Sequence, residues 1–258
     1  PLGLLFDPAR DGHGMQVARV GDTYVFLFYT YDAEGAPEWY LGTGRYEGGV
    51  LISDDLARYT YDVTRSPPQQ VEPGSESRML LSYQPNDVAE ACPDAPDDGK
   101  TRARFLWEIG GESASWCFES LVRSPGIAGD FGGTWFSPGD EGWGLSLANA
   151  ASTLVGVIYY YDADGRGRWA IGVGEGADGF ASIELPMLHV NGYCRTCPFA
   201  RTDQAAGPMT LSLLTPSRDP AVGNTVATEL VYPLPPGGDW QKGPQPLILL
   251  TDPPTEGR

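Results

Sequence analysis

The chain has 258 residues, of which 34 are Gly and 23 Pro; this density of breakers excludes a long-helix architecture, while 41% hydrophobic and 11% aromatic residues exclude a disordered tail. With 17 basic against 34 acidic residues the formal charge is −17, which excludes nucleic-acid phosphates and anionic membrane surfaces as natural partners. No apolar run approaches the roughly 18 residues of a membrane-crossing helix, so no transmembrane segment is expected.

In chain order, short segments rich in Tyr, Phe, Val, Leu and Thr, separated by Gly, Asp and Pro, predict strands at 2–6, 14–20, 23–31, 37–46, 49–53, 57–63, 78–84, 102–109 and 114–121. The loop Asp7 to His13 joins the first two, and Tyr31-Asp32-Ala33-Glu34-Gly35 places Asp at a turn start and Gly at the positive-φ position of a short hairpin. A calcium loop is the competing reading of that turn, but the regular series of oxygen ligands it needs is missing. Strand 23–31 is apolar at both parities, so neither face is expected to meet water; an extensive contact with another part of the chain, or a homodimer, follows.

A break at 122–132, with Ser124-Pro125-Gly126 and Gly132-Gly133, divides the chain into a first β unit (1–122), a linker (123–132) and a second β unit (133–258). Strands of the second unit are predicted near 134–136, 143–149, 153–161, 167–174, 179–185, 209–214, 226–233 and 246–251. The two halves align at an offset of 130 without a gap from Phe6/Phe136 to Gly44/Gly174, through Pro8/Pro138, Gly12/Gly142, Gly14/Gly144, Tyr29/Tyr159, Asp32/Asp162, Gly35/Gly165 and Trp39/Trp169. The fold class expected is therefore all-β: two tandem antiparallel β-barrel or β-sandwich repeats packed together.

The four cysteines, Cys92, Cys117, Cys194 and Cys197, fall two in each half, and an even count in a turn-rich chain predicts disulfides and an oxidising compartment. The start at Pro1 rather than Met is expected of a trimmed or processed chain, in which any export signal would have preceded this residue. Cys194-Arg195-Thr196-Cys197 is read as a local structural disulfide; half a zinc site would need two further ligands, and a redox motif would need a helix after it. The pairing as a whole stays open among three possibilities.

The run Phe6-Asp7-Pro8-Ala9-Arg10-Asp11-Gly12-His13-Gly14, then Tyr31-Asp32-Ala33-Glu34-Gly35-Ala36-Pro37-Glu38-Trp39, resembles a repeat of exported proteins of Gram-negative bacteria with the pattern G-x-W-x-x-P-x-x-x-G-x-G, then Y-D-x-x-G-x-P-x-W. The second half carries it as Gly133-Thr134-Trp135-Phe136-Ser137-Pro138, Gly142-Trp143-Gly144, Tyr161-Asp162 and Trp169. The resemblance implies export and β structure and supplies no catalytic residue. Two departures are Leu5 where the second half has Trp135, and Pro37 where it has Gly167. Gly133-Thr134-Trp135 is also similar to the opening of avidin-type barrels.

In an up-and-down arrangement the loop at 7–13 and the turn at 32–36 emerge at one end, so Arg10, Asp11, His13, Asp32 and Glu34 share a rim; Asp140, Glu141, Trp143, Asp162, Asp164 and Arg166 share the equivalent one. His13 and Trp143 occupy the same slot between two glycines, which reads as a ring covering the end of the core. A catalytic His would need a nucleophile or an orienting carboxylate, and the chain contains no G-x-S-x-G elbow, H-E-x-x-H motif or phosphate loop. At Trp39-Tyr40 adjacent rings must face opposite sides of a strand. Tyr40, which becomes Ala170 in the second half, is expected to be the exposed ring of a binding surface.

The function expected is a non-catalytic binding module, periplasmic or secreted, without cofactor or metal. Its partner is a protein more basic than itself, in an inhibitor, immunity or assembly role. A cell-envelope glycan-binding module is the alternative, drawn from the seven Trp and 13 Tyr, and a secreted hydrolase is the third reading.

Overall fold

Alternating apolar residues between Gly- and Asp-rich turns do form strands, and the hydrogen-bond register turns them into barrels rather than sandwiches. The structure, a computed structural model, describes residues 3–62, 64–66, 69–71, 77–121, 132–138, 140, 142–150, 152–176, 182–192, 194–198, 200–213, 228–233 and 241–250. The first half contributes β1 (Gly3–Phe6), β2 (Gly14–Val20), β3 (Thr23–Tyr31), β4 (Pro37–Glu47), β5 (Val50–Ser53), β6 (Thr60–Asp62), β7 (Gln69–Val71), β8 (Ser77–Ser82), α1 (Pro85–Ala91), β9 (Arg102–Ile109) and β10 (Glu112–Ser120). The second contributes β11 (Gly133–Phe136), β12 (Gly144–Ala150), β13 (Thr153–Tyr161), β14 (Gly167–Glu175), β15 (Ser182–Asn191), β16 (Thr202–Leu213), β17 (Thr228–Pro233) and β18 (Gln241–Leu249).

The strand order β1-β2-β3-β4-β5-β8-β9-β10 closes on itself, and β11 to β18 close in chain order into a second barrel. All pairs are antiparallel. Registers match at the offset positions: Gly14 pairs with Tyr29 and Gly144 with Tyr159, Tyr29 with Trp39 and Tyr159 with Trp169. The expected strand at 57–63 is shorter and leaves the barrel, pairing with β7 in a separate two-stranded sheet. Helix α1 was not foreseen because it buries none of its residues and so leaves no apolar periodicity; Pro85 in its first turn sets the start.

Both barrels are filled. Phe26, Phe28, Tyr40, Phe105, Trp116 and Phe118 crowd the first, and Trp135, Leu145, Ile158, Tyr160, Leu185 and Met209 the second. The opposite parity of β3 explains its unbroken apolar run: Leu27, Tyr29 and Tyr31 point out of the first barrel into a third core, shared with Val157, Tyr161 and Trp169 of the second. Burial of both faces is therefore achieved within the chain, by barrel against barrel.

The hairpin turns are built as their sequence indicates. Asp32 Oδ1 accepts the backbone N–H groups of Glu34 (3.0 Å) and Ala36 (2.8 Å), and Gly35 sits at φ 81°. Asp162 Oδ1 repeats this with Asp164 (3.0 Å) and Arg166 (2.9 Å). Two disulfides, Cys92–Cys117 and Cys194–Cys197, join α1's end to β10 and clip the connection between β15 and β16. Among the described residues no helix is long and apolar enough to cross a membrane.

Candidate functional site

The loop from Asp7 to His13 closes the end of the first barrel. Arg10 is held by an ion pair with buried Asp7 (2.8 Å) and lies over the Trp116 ring at 5.4 Å. His13 beside it is fully buried, edge-on to Trp116 (4.9 Å) and Tyr31 (5.2 Å), with Nδ1 2.9 Å from Thr30 Oγ1. Gly12, at φ +92°, has no room for a Cβ because the Tyr31 hydroxyl occupies that place. Burial first, then the positive charges of Arg10 and Arg195, push the imidazole down to about 3. His13 is therefore neutral near pH 7, lacks solvent access and serves as a ring covering the core.

Arg195, which belongs to no motif legible in the sequence beyond the Cys194–Cys197 pair around it, completes this mouth from the other half of the chain. The Cys194–Cys197 clip projects it between Glu38, with which it forms a close ion pair, and Glu112 at 3.7 Å. Its guanidinium also lies 5.7 Å from both the Tyr40 and Trp107 rings and donates to Tyr31 O at 3.3 Å. Tyr40 donates to Glu38 at 3.0 Å, and burial, then the Glu38 charge, push its phenol up to about 12. The available signal was the clip itself, but sequence cannot say what a four-residue ring points at.

The remaining candidates separate. Asp11 pairs closely with Arg201, and Glu34 is exposed on its turn. Asp140 accepts the Trp143 indole N–H at 3.0 Å, and Trp143, 6% exposed, caps the second barrel as His13 caps the first. Arg166 is exposed and pairs with Asp164 at 3.1 Å. Glu141 lies outside the described residues.

The expectation that Tyr40 is an exposed ring is corrected. Tyr40 points into the first barrel at 5% exposure, as Ala170 points into the second, while Trp39 and Trp169 point outward and are covered by the facing barrel. Strand alternation does send the two rings to opposite faces, but both faces are interior. The contacts exchange between offset positions. Trp39 Nε1 donates to Tyr160 O (3.4 Å) and Trp169 Nε1 to Thr30 O (3.0 Å). Trp39 packs on Tyr161 (5.4 Å) and Trp169 on Tyr31 (5.6 Å). One departure between the halves finds its reason here, since a Cβ at Gly167 would lie 2.9 Å from Trp39 Nε1.

Each barrel also sends an arm to the other. The β6–β7 hairpin is inserted in the chain between the paired strands β5 and β8, and Tyr61 N donates to Gly165 O at 2.7 Å; the loop between β15 and β16 returns the contact through Gly192 N to Gly35 O at 3.1 Å. Among the described residues, grooves flank the shared core on both sides. The smaller, about 140 Å³, runs past Phe6, His13, Tyr29 and Trp169 and includes Leu121, Val190 and Arg201. The larger, about 300 Å³, runs between Gln16, Leu27 and Trp39 of the first barrel and Thr134, Asp140, Trp143, Tyr159 and Tyr161 of the second, with Gln70 of the β6–β7 arm at its side. Among the described residues no cluster of His, Cys, Asp and Glu has the arrangement of a metal site.

Comparison with family models, with curated proteins and with solved structures gave no match to this chain.

Proposed function

We propose that the chain is an exported, non-catalytic recognition module, built from two copies of one β-barrel unit, that binds a more basic protein through its acidic outer surface. The observation that carries this reading is where the charge lies. Described cations are drawn into ion pairs, among them Arg10 with Asp7, Arg58 with Glu38, Lys100 and Arg102 with Glu119, and Arg168 with Asp162, which leaves the excess of carboxylates to set the outer potential. Both barrel interiors are occupied by their own side chains, so a macromolecular partner has to be met from outside. A negative surface of this kind steers a basic partner and accelerates its capture. The duplication is supported by the identities at an offset of 130, and export by the two disulfides.

The test is capture on the immobilised chain from envelope and secreted fractions of the source organism, followed by titration with the purified protein recovered. A basic protein whose affinity falls steeply between low and physiological salt supports the reading. A partner bound equally at all salt concentrations, or no protein at all, removes it.

A further inference from the structure

We propose that the larger inter-barrel groove is a binding site for a neutral saccharide, with the Gln16 amide oxygen as its central hydrogen-bond acceptor. The inference goes beyond the protein-recognition reading and does not depend on it.

Gln16 lies on β2 between Met15 and Val17, both of which fill the first barrel, so its side chain points outward toward the second. It is 2% exposed. Its Nε2 donates to Val17 O at 3.3 Å, whereas Oε1 has no hydrogen-bond partner among the described residues. Leaving a buried acceptor unpaired costs about 1–3 kcal/mol, and proteins avoid it unless a water or ligand supplies the donor. The same place on the opposite flank is satisfied: Ser146, offset by 130, bonds the Tyr29 hydroxyl at 2.8 Å. The orphaned oxygen is thus a feature of the open groove, not of the barrel design.

The lining identifies the class of donor. Trp39, Tyr159 and Tyr161 supply aromatic surface; Thr134, Ser137, Asp140 and Gln70 supply hydroxyl, carboxylate and amide groups; no Lys or Arg is among the described lining residues. An anion would meet Asp140 with no counter-charge. A purely apolar ligand would leave Gln16 unpaired. A sugar ring satisfies both demands, placing its C–H face on an aromatic side chain and donating a hydroxyl hydrogen to Oε1. Gln70, whose Nε2 donates to the Tyr161 hydroxyl at 2.9 Å, fixes that ring and ties the β6–β7 arm to the groove.

The test is titration of the intact chain with maltotriose, cellotriose and triacetylchitotriose, each up to about 10 mM, the range in which weak sites saturate, followed by the indole N–H signals of the tryptophans. Saturable binding of at least one trisaccharide, with shifts at Trp39 and Trp143 and none at Trp107 or Trp116 inside the first barrel, is expected. Gln16→Leu should weaken that binding about tenfold, the share of one hydrogen bond to a buried group. If this variant does not fold, the pattern of indole shifts in the wild-type chain decides. The proposal is overturned by absence of saturable binding for all three sugars, by shifts centred on Trp107 and Trp116, or by a folded Gln16→Leu variant of unchanged affinity.

Discussion

On one flank of the inter-barrel core the Tyr29 hydroxyl meets Ser146 at 2.8 Å, and the groove beside it is about 140 Å³; on the other, Gln16 takes the serine's place, its amide oxygen has no partner among the described residues, and the groove is about 300 Å³. The tryptophans that anchor the two flanks are the same, each reaching a backbone carbonyl of the facing barrel. The anchors therefore keep the barrels together, while the polar residues between them are where the flanks diverge. That divergence separates packing from recognition within one interface.

Removing the anchors should have the largest effect. Trp39→Ala and Trp169→Ala should each lower the stability measured by urea unfolding by about 3–5 kcal/mol, the usual loss for a buried tryptophan; a large loss on one flank only would show that the anchors are not equivalent. The disulfides provide the next contrast. Replacing Cys92 and Cys117, 25 residues apart, with Ser should cost about 3–4 kcal/mol by loop-closure entropy, whereas the Cys194–Cys197 pair, 3 residues apart, should cost below about 2 kcal/mol. Paired urea titrations without reductant measure both.

The two rings capping the barrels differ in titration. His13 is held at about 3 by burial and by Arg10 and Arg195, whereas an unfolded His protonates near 6.5. The unfolded chain thus takes up a proton that the folded one refuses, so this contribution to stability is complete above about pH 6.5 and declines toward pH 3 at about 1.4 kcal/mol per unit. His13→Gln should reduce the loss of stability between pH 7 and pH 5 by about 2 kcal/mol, as read from urea midpoints at the two values. The finest contrast lies between the polar pair. Ser146→Ala, which strands the buried Tyr29 hydroxyl, should cost about 1.5 kcal/mol, while Gln16→Leu, which removes an oxygen with no partner among the described residues, should change stability by less than about 1 kcal/mol.

The strands and the two β units were legible because the strands are short, aromatic and cut by Asp–Gly turns, and because Gly12, Gly14, Tyr29 and Trp39 recur in the second half, whereas closure into barrels rather than sandwiches is set by the pairing of first with last strands, which no local pattern records. Ring capping by His13 and Trp143 followed from two glycines flanking a flat side chain. Tyr40 was misplaced because alternation states which faces a strand has, not what lies against each. Arg195 had only its Cys194–Cys197 clip as a signal, and Gln16 had none: one acts through a loop docked on the other barrel, the other through an amide oxygen without a partner among the described residues, and both depend on tertiary contacts.

Each barrel is sealed by pairing its first strand with its last, Leu5 with Ser120 and Trp135 with Leu249. Such a seam is formed between residues far apart in sequence, so the chain loses much conformational freedom before this contact rewards it, and refolding belongs to the millisecond-to-second range of non-local β topologies. During synthesis the first barrel can seal while the second is still being made, and the second stays open until its final strand has emerged. The order of closure is thus written into the order of the chain.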